Sequence, residues 1–455
     1  METLRSAQGL AKRMKKSSLI GHIIELLDLI RPLKQPADNI IKDFFRTRHY
    51  LGSKDRRFIS DATFGILRNY RLLKVYADMG MKIVEMSHPQ VPSLLIYISY
   101  AVKIQKEEIA AIVSDVQGMW QVSHPRIECE KGVNAISQST FPTEVLENPT
   151  KRIAVTYSFP DSIVEEWIGR FGEVETEKLC EGSNQPAPID VRVNILKATP
   201  EECRTRLLFE GIESEPTKLS PFGLVLNRRI NAQALQSFKD GLFEMQDEGS
   251  QLLSLLLEPK PGQIIVDACA GGGGKTVHIV ALMRNEGELH SIDIDEKRLA
   301  NIRPRLIRAG ATIAQLHLAD TKSELFGLKE KADAVLVDAP CSGAGTFRRN
   351  PGAKLSFSQE YVGQISKTQR CILDTYSELV KPGGRLVYTT CTLIRKENED
   401  VVEGFLAAHP EFKLVSASEI LRRCNITVEC SSNYLTLLPH KTGTDGFFVA
   451  VMQKL

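Results

Sequence analysis

Apolar residues recur at helical spacing over the first hundred residues of the chain. Between Ser18 and about Lys106 they fall three and four positions apart, beginning with Leu19, Ile20, Ile23, Leu26, Leu27 and Ile30. This spacing gives each helix one apolar stripe and predicts an all-α N-terminal domain over residues 1–140. From Gln117 to Lys151 the pattern gives way to polar residues with interspersed proline and glycine, which predicts a linker and a domain boundary.

The next stretch, residues 150–240, alternates short apolar runs with segments of helical spacing. The helical spacing predicts helices over Ile163–Phe171 and Pro200–Glu210. The apolar runs predict strands at Ile153–Tyr157, Ile189–Asn194 and Leu224–Leu226. This mixture predicts a small α+β module as the second domain.

Strands and helices alternate regularly in the third predicted domain, residues 241–455. Five strands are predicted at Gln263–Asp267, Leu289–Asp293, Ile313–Leu318, Ala334–Asp338 and Arg385–Thr390, with helices between them. Two further strands, Phe412–Leu414 and Gly446–Met452, are placed at the edge of the sheet. Such βαβ repetition predicts a doubly wound, Rossmann-like α/β domain.

The composition excludes several classes of protein. The chain is 42% hydrophobic and 25% charged, which argues against disorder. No apolar run approaches the roughly 18 residues of a membrane-spanning helix. Nine cysteines include no Cys-x-x-Cys pair, which argues against a disulfide framework and against a metal site. We therefore expect a cytoplasmic protein with reduced thiols, no membrane contact and no bound metal.

Positive charge is concentrated at the N-terminus. The whole chain has 58 basic and 56 acidic residues, whereas residues 1–75 have 16 basic and seven acidic, a net charge of +9. A basic module joined to a mildly acidic remainder is typical of proteins that bind the phosphate backbone of a nucleic acid. A solvated helical surface that is merely basic would give the same count.

Four consecutive glycines follow the first strand of the C-terminal domain. The stretch reads DACAGGGGKT, with Gly271, Gly272, Gly273 and Gly274 in a row. Glycines let the backbone turn tightly and approach a ligand at the carboxyl edge of a sheet. A phosphate-binding loop needs a glycine where Cys269 stands, and a dinucleotide fingerprint needs one near Thr276. Two explanations of the four glycines remain: a site for a nucleoside ligand that carries no phosphate, and a purely structural turn.

Acidic residues stand at the ends of the first three strands of this domain. Asp267 ends the first strand, and Asp293 ends the second, 19 residues after Gly274, where a carboxylate accepts both hydrogen bonds of an adenosine ribose. Asp320 follows the third strand and is placed to meet the adenine amino group. Singly, each is more often a helix cap. Together they favour S-adenosylmethionine, with the predicted cofactor residues being Asp267, Cys269, Ala270, Gly271, Gly272, Gly273, Gly274, Lys275, Asp293, Asp320 and Asp338.

Two cysteines follow the ends of the fourth and fifth strands. Asp338 and Cys341 lie in DAPCSGAGTFRRNP, and Cys391 lies in YTTCTL. C5 of cytosine is too weak a nucleophile to attack a methyl sulfonium, but adding a thiolate to C6 makes C5 reactive. Asp338, if burial raises its pKa, supplies a proton near N3. The thiol must afterwards be eliminated, which gives a second cysteine a role.

These stretches resemble the Sun-type RNA cytosine-5 methyltransferases of the Nop/Sun superfamily. The similar segments are QDEGSQL, DACAGGGGKT, SIDIDEKRL, DAPCSGAGTFRRNP, KPGGRLVYTTCTL with ENE, and TDGFF. In that family the cysteine of the TTC element is the nucleophile and the cysteine after Asp-Ala-Pro assists product release. The resemblance implies that Cys391 attacks C6 and that Cys341 aids elimination. DNA cytosine-5 methyltransferases instead place the nucleophile in a Pro-Cys-Gln element, whereas Ser342 follows Cys341 here.

The N-terminal segment DRRFISDATFGILRN, Asp55–Asn69, resembles the RNA-binding NusB-like domain. That domain joined to this catalytic unit is similar to the bacterial small-subunit ribosomal RNA methyltransferase subgroup. The resemblance implies small-subunit ribosomal RNA as partner and 5-methylcytidine as product. The same reaction on transfer RNA and a non-catalytic ribosome-assembly factor that binds RNA are the alternatives. An ATP-driven enzyme would need the glycine that the loop lacks.

The sequence leaves the roles of three basic residues near the site undecided. Lys275 begins the helix after the glycines, where it reaches the methionine end of the cofactor or the base, or else faces solvent. Arg348 and Arg349 hold RNA phosphates at the mouth of the site or form a surface salt bridge.

Overall fold

The computed structural model describes residues 14–33, 35–86, 91–124, 126–319, 327–430 and 432–455. The chain divides into two compact units. One comprises the residues up to Cys180 together with Asn350–Ser356, and the other comprises Glu181–Arg349 and Phe357–Leu455. Within the described part of the chain, no helix combines the length and the apolar character needed to cross a membrane.

The first unit is helical, as the apolar spacing predicts. Its helices are α1 (Lys16–Ile30), α2 (Ala37–Thr47), α3 (Ser53–Arg68), α4 (Tyr70–Ile83), α5 (Ser93–Ser99), α6 (Ile109–Ser123), α7 (Cys129–Gln138), α8 (Thr143–Leu146), α9 (Pro149–Thr156) and α10 (Asp161–Phe171). A π-helical turn, Tyr100–Ile104, extends α5. The apolar stripe of α1 is buried in one cluster with residues of α2 to α7. The unit is therefore held together by side chains from helices distant in sequence.

The predicted linker between Gln117 and Lys151 is wrong. Most of this stretch forms α6, α7, α8 and α9. Trp120 of α6 is 1% exposed, and its indole N–H donates to the carbonyl of Ile127 at 2.8 Å. Val133 and Ile136 of α7 lie in the same buried cluster. The polar residues that suggested a linker lie on the outer faces of these helices.

The predicted strand Ile153–Tyr157 is also wrong, because these residues belong to α9. Pro149 occupies the first turn of the helix, and the side chain of Asn148 accepts a hydrogen bond from the backbone N–H of Lys151 at 2.9 Å. An asparagine cap followed by proline is a strong helix start. The β-branched residues Ile153 and Val155 are buried on this helix. The cap signal therefore outweighs the strand preference of the β-branched run.

The second unit begins with a small α+β module. Its helices are α11 (Glu173–Asn184), which starts in the first unit, α12 (Pro200–Phe209) and α13 (Gln236–Lys239), and its strands are β1 (Ile189–Val193), β2 (Ser214–Pro216), β3 (Gly223–Leu226) and β4 (Phe243–Met245). The strands form an antiparallel sheet in the order β2-β3-β1-β4. Val191, Leu207 and Phe243 are buried between this sheet and α12. The predicted α+β character is confirmed.

The large sheet of the second unit has eight strands. They are β5 (Ile264–Ala268), β6 (Glu288–Asp293), β7 (Ala314–Leu318), β8 (Ala332–Asp338), β9 (Val380–Thr390), β10 (Phe412–Val415), β11 (Leu435–Leu437) and β12 (Phe447–Lys454). The order is β10-β12-β9-β8-β5-β6-β7, and β11 pairs with β12. The five strands from β5 to β9 are parallel, whereas β12 runs antiparallel to β9. The predicted Rossmann-like sheet with a C-terminal edge is confirmed.

Helices cover both faces of this sheet. They are α14 (Glu248–Leu255), α15 (Gly274–Leu282), α16 (Glu296–Ala309), α18 (Gln359–Ser377), α19 (Glu399–Ala408), α20 (Ala417–Arg423) and α21 (Pro439–Thr442). The short helix α17 (Ala353–Ser356) lies between α16 and α18 along the chain and is part of the first unit. Successive residues of the central strands enter opposite cores, as Ile265 and Val266 of β5 do. A central parallel strand is buried on both faces, so it is apolar at nearly every position.

Packing of α6 against α7 gives a test of the helical core. A Cβ atom added at Gly132 would lie 2.0 Å from the ring of Trp120, whereas one added at Gly118 meets nothing within 4 Å. We expect Gly132→Ala to lower the free energy of unfolding by about 1–3 kcal/mol through overpacking. Gly118→Ala, the matched control, should leave it unchanged or raise it by up to about 1 kcal/mol. Denaturant unfolding measures both, and equal effects would contradict the packing.

Candidate active site

The pairing of β8 with β9 brings the two predicted catalytic cysteines together. The strands run parallel, with Asp338 opposite Thr389, so both end at the same edge of the sheet. Cys341 lies three residues beyond the end of β8, and Cys391 directly follows β9. Their Sγ atoms are 3.3 Å apart, and both side chains are partly exposed. The two sulfurs therefore lie together at the carboxyl edge of the sheet, close enough for one pyrimidine to contact both.

The environment distinguishes the two thiols. The hydrogen bond with Cys391 and burial together raise the pKa of Cys341 well above its ordinary value, and the carboxylate of Glu397 acts in the same direction. Either sulfur can donate in the contact between them, so one hydrogen bond links the two thiols.

Lys275 pairs with Asp338 beside the two sulfurs. Its Nζ atom lies 2.6 Å from Oδ2 of Asp338, and its side chain is only 13% exposed. Burial by itself lowers the pKa of Lys275. The attraction of Asp338 and the hydrogen bond between the two groups outweigh burial, so the pKa is raised overall, with a smaller contribution from Cys391. Of the alternatives for Lys275, the solvent-facing one is therefore wrong. Its Nζ atom donates to Oδ2 of Asp338.

The glycine loop follows β5 and starts α15. Cys269 and Gly271 adopt positive φ angles of 61° and 57°, and Gly273, at φ 77°, caps α15 in the left-handed conformation. A Cβ atom at Gly273 would lie 2.8 Å from Ile302 of α16. Ala270 is buried, and its N–H donates to the carbonyl of Ile292 at 2.9 Å. The loop therefore follows one tight path between β5 and α16.

Two arginines that sequence reasoning missed hold the carbonyl side of this loop. Arg192 of β1 donates to the carbonyl of Gly274 at 2.7 Å and to the side chain of Gln246. Arg305 of α16 donates to the carbonyl of Gly272 at 2.6 Å. Arg192 is 1% exposed, and burial lowers its pKa to about 9. In the sequence Arg192 is one charged residue inside a short strand, which gives no signal of this role.

Two of the predicted strand-end acids lie at the loop. Asp293 is 4% exposed and accepts backbone N–H groups from Gly271 at 2.8 Å and Asp295 at 2.9 Å. Asp267 is fully buried and accepts from the hydroxyl of Thr276 at 2.6 Å. Burial raises the pKa of Asp267 to about 7. Asp320 lies outside the described residues, two positions beyond the end of β7.

This region fits a nucleoside cofactor that carries an amino acid. Among the described residues no group donates to Oδ1 of Asp267, which is buried, so the hydrogen-bonding capacity of this oxygen is unused. A Cβ atom at Gly271, Gly272 or Gly274 would meet no atom nearer than 3.6 Å, so the outer face of the loop is open. Each oxygen of Asp293 has a second lone pair for a ribose hydroxyl. The donor and acceptor set therefore matches S-adenosylmethionine.

Glu397 connects the two cysteine loops, and no role for it follows from the sequence beyond its place in the ENE segment. It follows Arg395 and Lys396 in a 3₁₀ turn and is fully buried. Its carboxylate accepts from the backbone N–H of Ser342 at 2.7 Å and from the hydroxyl of Thr392 at 3.1 Å. These two residues are the direct neighbours of Cys341 and Cys391. Only the fold reveals the contact with Ser342, because 55 residues separate it from Glu397 along the chain.

Arg348 and Arg349 do not serve as phosphate ligands in this structure. Arg348 is 7% exposed and donates to the carbonyls of Gly443 at 2.5 Å and Thr444 at 2.9 Å. Arg349 forms ion pairs with Asp445 at 2.5 Å and Asp247 at 2.7 Å. Both carboxylates are almost fully buried. The ion pairs of Arg349 match the salt-bridge alternative, and both guanidinium groups join segments that are distant along the chain.

The sheet, the open glycine loop and the adjacent cysteines define an S-adenosylmethionine-dependent methyltransferase. Comparison with known protein families supports this class. A family profile described as 16S rRNA methyltransferase RsmB/F matches residues 254–453. A second profile, for the ferredoxin-like domain of RsmF/B-like methyltransferases, matches residues 159–233. The chain belongs to the RsmB/F family of 16S rRNA methyltransferases, and it is a ribosomal RNA cytosine methyltransferase.

Individual relatives extend over the whole chain. A "Probable ribosomal RNA small subunit methyltransferase B" of Bacillus subtilis is 30% identical over 452 residues, covering 97% of this chain and 100% of the relative. The crystal structure of PH0851 matches with a TM-score of 0.74 and 27% identity, covering 97% of this chain and 99% of its own. A methyltransferase homolog from Pyrococcus horikoshii has a TM-score of 0.57 and 28% identity over 69% of this chain and 100% of its own. The Sun-type resemblance and the cofactor prediction are confirmed.

The buried Asp267 makes stability depend on pH. Its pKa rises from 3.8 to about 7 on folding, so the folded state holds the proton more tightly than the unfolded chain does. This contribution to stability is complete below about pH 4 and is lost as the pH rises to about 7. Asp267→Asn stays neutral and still accepts from Thr276. We expect it to stabilise the cofactor-free protein by about 2 kcal/mol more at pH 8 than at pH 5, measured by thermal unfolding. An equal effect at both pH values would contradict a neutral Asp267.

Proposed function

We propose that this enzyme methylates C5 of one cytidine in small-subunit ribosomal RNA through a covalent bond between Cys391 and C6 of the base. The 3.3 Å separation of the two sulfurs carries the proposal. Cysteine pairs in a protein core are usually inert packing. These two lie instead at the carboxyl edge of the sheet, partly exposed and beside a partly buried Lys–Asp pair. This combination supplies a nucleophile and a proton donor for addition to a pyrimidine.

We assign the roles of the two thiols from the resemblance of their segments to the Sun-type enzymes. The sulfur of Cys391 forms the bond to C6, and the π electrons of the C5–C6 bond move towards N3. C5 then takes the methyl group and gives up its proton to a solvent water that acts as base. As the C6–S bond breaks and its electron pair returns to the sulfur of Cys391, the S–H group of Cys341, 3.3 Å away, donates a hydrogen bond that stabilises the negative charge on that sulfur. Cys341 is thereby an assistant in elimination.

Lys275 and Asp338 supply and orient the proton at N3. We assign the proton donated towards N3 to the ammonium of Lys275, which lies 2.6 Å from Oδ2 of Asp338. Asp338 holds the ammonium in place and has a second oxygen free to accept from the cytosine amino group. Negative charge that develops on the cytosine ring therefore lies near the ammonium of Lys275. Because this position is half-buried, the attraction between the two charges is stronger than it would be in water.

The glycine loop and the strand-end acids hold the cofactor. Asp293 binds the ribose hydroxyls, and Asp267 together with the open face of Gly271 to Gly274 binds the methionine end. Asp320 meets the adenine amino group. When bound, S-adenosylmethionine supplies the electrophilic methyl group. Arg192 and Arg305 keep the loop carbonyls turned away from it.

The helical N-terminal region binds the RNA backbone. The exposed cations Lys42 and Lys54 lie on α2 and α3, and residues 1–75 carry the net charge of +9. We assign the NusB-like domain to residues 1–140, the small RNA-binding module to 150–240 and the catalytic domain to 241–455. Phosphates bind such a surface through Coulomb attraction and counterion release, so the affinity for RNA falls as the salt concentration rises.

A covalent adduct tests the assignment of the two cysteines. Cys341→Ala removes the hydrogen bond that assists elimination, so we expect an RNA–protein adduct that survives denaturation and accumulates over time. Cys391→Ala should form no adduct and transfer no methyl group. Cys371→Ala, which changes an exposed cysteine on α18, is the control and should behave like the unaltered enzyme. Denaturing gel electrophoresis with labelled RNA provides the measurement. An adduct formed by Cys391→Ala would reverse the two roles.

Mapping of 5-methylcytidine tests the substrate. Cells without this protein should lack one 5-methylcytidine in small-subunit ribosomal RNA, and the unaltered gene should restore it whereas the Cys391→Ala gene should not. Sequencing of bisulfite-treated RNA measures both RNA pools. Loss of the mark from transfer RNA alone would identify the alternative substrate. Unchanged marks in both pools would favour a non-catalytic assembly factor.

A further inference from the structure

We propose that Glu397 is a positioning residue that holds the loop of Cys341 and the loop of Cys391 together. The inference deepens the proposed function and rests on it, since the two thiols must share one base. Glu397 touches neither thiol and lies beneath them. It acts through the neighbours of the two cysteines.

The carboxylate accepts from four donors in three separate segments. Oε2 accepts from the backbone N–H of Ser342 at 2.7 Å and from the amide of Gln369 at 3.2 Å. Oε1 accepts from the hydroxyl of Ser342 at 2.5 Å and from the hydroxyl of Thr392 at 3.1 Å. The same two hydroxyls are 3.0 Å apart. One side chain thus fixes the residue after each cysteine.

The backbone around Glu397 is itself fixed to β9. The hydroxyl of Tyr388 donates to the carbonyl of Glu397 at 2.6 Å. Asn398 accepts from the hydroxyl of Thr390 at 2.6 Å and donates to the carbonyl of Thr392 at 3.0 Å. The carboxylate therefore projects from a rigid base. Movement of either cysteine loop would break hydrogen bonds in the interior of the protein, which is costly.

Neutral donors hold this carboxylate. Among the described residues, the four groups that donate to it are one backbone amide, one side-chain amide and two hydroxyls. Glu397 is fully buried, and burial raises its pKa while the donors lower it. The bridge therefore depends on the geometry of two oxygens with two lone pairs each, and no ion pair is needed to form it.

Because of this geometry, Glu397→Ala should remove the bridge, whereas Glu397→Gln should remove only the charge. In Glu397→Gln the amide oxygen takes the place of Oε2 and accepts from Ser342 N–H and from Gln369. The amide nitrogen takes the place of Oε1 and donates to the two hydroxyls, which rotate to accept. Glu397→Ala leaves all four donors without an acceptor.

The distance between the thiols can be tested without methyl transfer. Diamide oxidises two adjacent thiols to a disulfide and takes up the two electrons and two protons that they lose. We expect Glu397→Ala to form the Cys341–Cys391 disulfide at least about tenfold more slowly than the unaltered protein, because the loops separate. Glu397→Gln should form it at nearly the original rate. Mass spectrometry of the linked peptides measures this pair apart from the other cysteines.

Kinetics then separate positioning from folding. Glu397→Ala should lower kcat by about 100-fold, because a misplacement of about 1 Å at reacting groups has this effect. Its KM for the cofactor should stay within about threefold, since the glycine loop is untouched. Glu397→Gln should restore most of kcat. Glu248→Ala, the matched control, removes a buried carboxylate that accepts from the backbone N–H groups of Leu219 and Ser220, away from the cysteines, and should keep the rate of disulfide formation.

Two results would overturn the inference. One is rapid disulfide formation in Glu397→Ala. The other is a loss in Glu397→Gln as large as that in Glu397→Ala, which would assign the effect to charge. The thiol measurement stands even if the unaltered enzyme fails to methylate cytidine, so failure of the proposed function is distinguishable from failure of this inference.

Discussion

The active site depends on the parallel pairing of β8 and β9. Parallel neighbours end at the same edge of a sheet, so the loops that follow them lie side by side although 50 residues separate Cys341 from Cys391. An antiparallel arrangement would put the two thiols at opposite edges. The antiparallel strand β12 is accommodated on the other side of β9, where it closes the sheet without disturbing this edge.

The small α+β module holds the glycine loop that we propose as the cofactor site. Arg192 reaches from its sheet to the carbonyl of Gly274, and its Nη1 also contacts Gln246, the residue that follows β4 by one position. Arg192 and Arg305 both donate hydrogen bonds to carbonyl groups of the glycine loop. The other face of the loop therefore stays open towards the carboxyl edge of the sheet. A loop of four glycines would otherwise have many accessible conformations. The module thus reduces the conformational entropy of the loop within the same compact unit.

Elements buried on both faces were predictable from the sequence, whereas elements determined by caps or tertiary packing were not. The central strands β5 and β8 consist largely of buried apolar residues, so their bounds follow closely from the pattern. The region from Gln117 to Thr156 was misassigned because α7, α8 and α9 have only ten, four and eight residues. None of the residues of α8 is buried, and the cap of α9 by Asn148 lies outside the apolar run. Periodicity is weak over so few residues.

The sequence by itself determined which groups could perform the chemistry: two cysteines and several acids placed at strand ends, a glycine loop that fits no phosphate, and a basic N-terminus. Tertiary structure decided how those groups act. It paired Lys275 with Asp338, placed the sulfurs of Cys341 and Cys391 3.3 Å apart, bonded Arg348 and Arg349 to groups within the protein and linked the neighbours of both cysteines through Glu397. The physical reason is that protonation and hydrogen bonding depend on distances of a few ångströms between segments that lie far apart in the chain, and spacing along a sequence carries no measure of those distances.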